Sequence, residues 1–153
     1  MCSILQVLNL ARNSITSVGA QALASTIHHL RSLRVLSLKF NDIGVHGVFS
    51  LAPKLSLLSQ LQDLDIEGNA IGETGASALS DQFWALGRSL CTLKIGMNRV
   101  GERGTGEIAS CMSTLIRLRD LGLGRNELRD PGVSHLLPVL PSLGSLTGLS
   151  LYR

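Results

Sequence analysis

Aromatic side chains are scarce in this chain: one Trp, one Tyr and three Phe make up 3% of 153 residues. The core must therefore be packed by aliphatic residues, and aromatic stacking platforms for single-stranded nucleic acid are missing. Charge is also low, at 16% of residues. The net charge of +3 and a pI near 9.1 invite a nucleic-acid reading. Phosphate binding needs clustered positive charge, however, and the pattern below does not supply it. The three cysteines, Cys2, Cys91 and Cys111, are odd in number and irregularly spaced. That argues against a disulfide framework and for free thiols in a reducing, cytoplasmic setting. No apolar run reaches the roughly 18 residues of a membrane span. Met1-Cys2-Ser3-Ile4 has neither the basic start nor the apolar stretch of a signal peptide, and no Asn stands in an Asn-x-Ser/Thr sequon.

What the chain has is leucine in register. The phrase Leu-x-x-Leu-x-(Leu/Ile)-x-x-Asn-x-(Ile/Val/Leu) begins at Leu5, Leu33, Leu61, Leu90 and Leu118, and starts again at Leu146. Its asparagines, Asn13, Asn41, Asn69, Asn98 and Asn126, are separated by 28, 28, 29 and 28 residues. A fixed period of this length means a repeat architecture. In the second copy Leu36 and Leu38 alternate with Val35, Ser37 and Lys39, the period-two pattern of a strand with one buried face. The Asn at its end predicts a buried amide that pairs backbone groups where the chain turns away.

A helix is expected in the second half of each unit. Apolar or small residues recur in a stripe, as at Ala20, Leu23, Ala24, Ile27 and Leu30, or at Val48, Leu51, Ala52, Leu55 and Leu58. Gly19, Gly47, Gly75, Gly104 and Gly132 each follow their Asn by six residues. They are expected to allow close approach where helix meets strand. Asp130-Pro131 fits an N-cap followed by the first helical position. Pro53 and Pro138 should shorten or kink their helices. The extra residue of repeat three, around Gly87-Arg88-Ser89, predicts a bulge in the helix-to-strand loop. Phe83 falls on the apolar stripe. Trp84, just after it, is expected to cover that extra residue, with an exposed convex-side anchor as the alternative.

Neither half can bury its apolar face alone, so neighbours must stack. These residues resemble the leucine-rich repeat family, and the 28-to-29-residue unit is similar to its ribonuclease-inhibitor-like subfamily. Relatives of that kind include the repeat regions of nucleotide-sensing innate-immune receptors and the Ran GTPase-activating proteins. The resemblance implies an α/β leucine-rich repeat solenoid, a horseshoe with a parallel sheet on the concave side and helices on the convex side. Residues 1–153 form one domain of about five complete repeats and a sixth strand. Core leucines near both ends lack polar caps, so the expectation is a fragment of a longer array or a truncated gene product, with self-association through the uncapped ends as the alternative.

Exposed strand positions should form columns across the sheet. These are Val7, Val35, Asp63, Thr92, Asp120, Gly148; then Asn9, Ser37, Asp65, Lys94, Gly122, Ser150; then Ala11, Lys39, Glu67, Gly96, Gly124, Tyr152; and beside them Arg12, Phe40, Gly68, Met97, Arg125, Arg153. Five Lys or Arg there stand against four Asp or Glu, so the face is mixed and nucleic acid is not the expected partner. Asp63, Asp65 and Glu67 make an acidic spot. It reads as a dock for a basic partner, or as ordinary cross-strand pairs of Lys39 with Glu67 and Lys94 with Asp65. The candidate protein-binding residues are Arg12, Lys39, Phe40, Asp63, Asp65, Glu67, Lys94, Met97, Asp120, Arg125 and Tyr152.

No catalytic set emerges. Gly122, Gly124 and Glu127 only begin a dinucleotide fingerprint, and the Gly101, Gly104, Gly106 run lacks the Lys-Ser/Thr of a phosphate loop. His28, His29, His46 and His135 share no metal-ligand spacing. Cys111 and His135 fall on neighbouring helices, but Cys111 is expected on the solvent side and no third group orients them. The reading is a non-enzymatic protein-interaction module without metal, cofactor or membrane contact. The alternatives are a GTPase-activating regulator similar to the Ran-activating proteins, or the sensor repeats of an innate-immune receptor.

Overall fold

Each Leu-x-Leu step folds as a three-residue strand with its central leucine inward. The computed structural model describes residues 4–152; Cys2 and Arg153 lie outside them. The strands are β1 Val7–Asn9, β2 Val35–Ser37, β3 Asp63–Asp65, β4 Thr92–Lys94, β5 Asp120–Gly122 and β6 Gly148–Ser150. They form one open sheet in the order β1-β2-β3-β4-β5-β6, every pair parallel. The register runs Leu8, Leu36, Leu64, Leu93, Leu121, Leu149 along the inward row. The first two expected columns are therefore true neighbours.

The returning halves are α1 Ser17–Ile27, α2 Gly44–Leu55, α3 Gly72–Ser80, α4 Phe83–Leu86, α5 Gly101–Cys111 and α6 Arg129–Leu136. They bury the predicted stripes: Ala20, Ile27, Val48, Leu51, Ala52 and Leu55 sit in one continuous core with the strand leucines. Adjacent strands need roughly 4.8 Å and adjacent helices roughly 8–10 Å. The stack therefore fans out on its helical side, with the sheet inside the curve.

The asparagines close each coil onto the next. Nδ2 of Asn98 donates to the carbonyls of Ile95 in its own coil and Ile66 in the coil before, both at 2.9 Å. Its Oδ1 accepts the Asn69 N–H at 2.9 Å and the Ile71 N–H at 3.5 Å. Asn126 repeats the pattern on Leu123, Ile95, Asn98 and Val100. Asn69, Asn98 and Asn126 are buried, at 1%, 0% and 1% exposure. Asn41, in coil two, is half-buried and Asn13, in coil one, is exposed, so the amide's burial rises from the first coil to the third.

Several expectations are corrected. Among the described residues no helix has a side-chain N-cap bond. The first N–H groups of α2, α3 and α5 instead donate to the backbone carbonyls of Asn69, Asn98 and Asn126 in the following coil. Asp130 accordingly lies inside α6, not at its cap. The repeated glycines permit approach between helices more than between helix and strand. A Cβ on Gly47 would lie 2.5 Å from Ile43 Cγ2 and 3.2 Å from the Ser17 Cα of α1. Pro53 does not shorten α2, which runs 12 residues, because it falls in the last turn. Pro138 does follow a short helix, α6, which ends at Leu136. Coil three absorbs its extra residue by breaking its helix into α3 and α4, and Gly87 then packs on the Thr114 carbonyl, where a Cβ would collide. Phe83 is core, but Trp84 is 73% exposed. Cys111, expected on the solvent side, is half-buried and packs in part against the core.

Candidate functional site

The strand-to-helix turn sets which side chains reach the open face of the sheet. Residues just before the asparagines adopt left-handed backbone: Arg12, Phe40, Gly68, Met97 and Arg125, with φ of 59°, 53°, 69°, 57° and 57°. Only Gly takes this conformation without cost. The asparagine ladder holds the turn in place, and the inversion brings these side chains beside the columns of the sheet.

Two clusters result. In the first, the Arg12 guanidinium lies over the Phe40 ring at 4.6 Å and Lys39 Nζ at 4.9 Å. The ring itself lies on Gly68, where a Cβ would have no room. Lys39 Nζ also bonds Glu67 Oε2 at 3.0 Å, the cross-strand pair expected from the columns. In the second cluster the Tyr152 ring lies over Gly124, 2.7 Å from where a Cβ would stand, with the Arg125 guanidinium 5.8 Å from its centroid. Between the clusters is a hollow of about 250 Å³. Its floor is Gly96, Gly122 and Gly124, and Glu67, Lys94 and Asp120 stand around it. The three glycines are what make room; any side chain in those rows would fill the hollow.

The second expected pair is not made: Lys94 and Asp65 form no ion pair. Asp65 instead turns back, its Oδ1 accepting the Glu67 N–H at 3.0 Å. Burial pushes the Asp65 carboxyl above its ordinary pKa, while the Glu67 N–H and the Lys39 charge pull the other way. Asp63, Lys94 and Asp120 are half-buried and enter no ion pair among the described residues. Met97 is half-buried beside them, with no polar contact. Every predicted binding residue thus lies on or beside one continuous face. The left-handed turns and the hollow were missed by sequence reasoning. The signals were Gly68 at a turn position and the run of glycines at 96, 122 and 124.

Among the described residues no three His, Cys, Asp or Glu side chains gather as a metal site requires. The His135 ring lies 3.3 Å from the Cβ position of Gly106, and Cys111 Sγ has Ser110 Oγ at 3.5 Å.

The Leucine Rich repeat family model matches residues 2–24, 29–52 and 59–80, the first three coils. The asparagine ladder and parallel register carry the same unit through the next two coils, beyond the matched stretches. The molecule is an α/β leucine-rich repeat solenoid. Such repeats generally mediate protein–protein interaction. No curated protein matches the chain.

Proposed function

We propose that this protein is a non-catalytic interaction module of the ribonuclease-inhibitor-like type, binding a protein partner on the concave sheet face. The subfamily reading rests on a 28-to-29-residue unit with a helix in each return. One observation carries the binding reading. Lys94 and Asp120 stand half-buried without ion-pair partners among the described residues around a glycine-floored hollow, with Asp63, likewise unpaired, two strands along the Asp120 row, and Phe40 and Tyr152 with their stacked arginines to either side. Aromatic and Arg anchors beside a hollow are what interface energetics favour. Asp65 supports the same reading, since burial on this face raises the pKa of its carboxyl. The free thiols of Cys91 and Cys111 support a reducing, cytoplasmic setting.

The test compares affinity capture by the native chain with capture by an Asp63→Lys, Asp120→Lys double variant. Proteins captured by the first and lost with the second, at unchanged thermal stability, are the expected result. Identical capture by both chains would remove the sheet face from the proposal.

A further inference from the structure

The helical side carries a second opening that the sheet-face reading does not use. Helix α3, at nine residues, is shorter than either neighbour, α2 with twelve and α5 with eleven. Its outward side chains are small: Thr74, Ser77 and Ala78. Over these small side chains, between α2 and α5, lies a groove of about 380 Å³. Phe49 and Pro53 of α2 form one wall, and Arg103 and Glu107 of α5 the other. Phe49 is 52% exposed into this space. Pro53 has no N–H to offer the Phe49 carbonyl one helical turn earlier, which leaves an acceptor beside the ring.

The charge of the groove runs against that of the chain. Overall the protein is +3, yet Glu73, Asp81 and Glu107 line the groove against a single cation, Arg103. None of the three carboxylates forms an ion pair among the described residues. Asp81 is the C-cap of α3, where the helix dipole already presents negative charge. A carboxylate there is electrostatically unfavourable until a cation comes to it.

We propose that this groove is a second docking surface, and that it takes a short basic segment of a protein partner with an apolar side chain set between lysines or arginines. The apolar group covers Phe49 and Ala78, and the flanking cations reach Asp81 at one end and Glu107 along the wall. Both attractions are needed: the walls alone fit any apolar group, and the carboxylates alone would hold any cation.

The test is titration of the isotopically labelled full chain with the blocked peptide Arg-Lys-Leu-Leu-Lys-Arg, read as amide chemical shifts. Shifts should cluster at Phe49 and at residues 74–82 and 103–107. Replacing Leu-Leu by Ser-Ser, or the chain's Asp81→Asn with Glu107→Gln, should each weaken binding at least about fivefold. Phe49→Ser should do the same, and the charge variants, being surface changes, test the proposal should that one unfold. Asp63→Lys with Asp120→Lys should leave the binding unchanged, so this proposal and the sheet-face reading fail separately. Absent shifts, shifts on the sheet face, or equal binding of Glu-Asp-Leu-Leu-Asp-Glu would overturn it.

Discussion

Asn98 and Asn13 hold the same place in their coils and do very different physical work. Asn98 is fully buried, and its amide ties two coils through bonds to Ile66, Ile95, Asn69 and Ile71. Asn13 is exposed, and among the described residues its amide donates only to the Ala11 carbonyl two residues away. Among the described residues, coil four has neighbours on both faces and coil one on a single face. An identical residue at an identical register thus acquires its energetic weight from the coil stacked against it.

The sharpest way to break this comparison is Asn98→Ala. It strands several buried backbone groups, each worth roughly 1–3 kcal/mol, so a loss of about 3–5 kcal/mol in a urea melt is expected. Next comes Gly47→Ala, whose new methyl group would press on Ile43, Ala20 and the backbone of α1; overpacking of this kind costs about 1–3 kcal/mol. Gly44→Ala sharpens the contrast. Nothing lies within 4 Å of its Cβ position, but its φ is +63°, so only left-handed strain of about 1 kcal/mol is expected. Asn13→Ala should cost no more than about 0.5 kcal/mol, as exposed substitutions do. A loss there equal to that of Asn98→Ala would end the comparison.

The smallest effect is the most specific in sign. Folding raises the Asp65 pKa, so the folded state holds its proton more tightly than the unfolded one. Its contribution therefore falls as pH rises from the unfolded carboxylate range through the folded value. Asp65→Asn keeps the acceptor for the Glu67 N–H and removes the charge. It should leave stability unchanged at low pH and raise it slightly at neutral pH, by a few tenths of a kcal/mol given partial exposure. Melts at pH 3 and pH 7 would check this, and a variant less stable at pH 7 would contradict it.

The strands, the helical stripes and the column neighbours were legible because they follow from periods of two and 3.6 within one unit. Lys39 and Glu67 could be paired from register alone, and they do pair. Lys94 and Asp65 had the same register and do not, because Asp65 takes a backbone N–H two residues ahead instead. Helix capping was misread for a related reason. Asp130 looked like a local cap, whereas the caps of α2, α3 and α5 come from asparagine carbonyls one coil away. Trp84 was expected to cover the added residue of coil three, but a broken helix absorbs that residue and leaves the indole outside.

Local alternation and repeat length by themselves determined that this chain stacks as a solenoid, since apolar stripes on short strands and helices can be buried only against copies of themselves. Tertiary structure alone decided which of those copies matter. The hollow over Gly96, Gly122 and Gly124, the groove above α3 and the unequal weight of five identical asparagines all depend on what the adjoining coil places opposite. That is a relation between residues about one repeat apart, and a pattern read within one unit does not contain it.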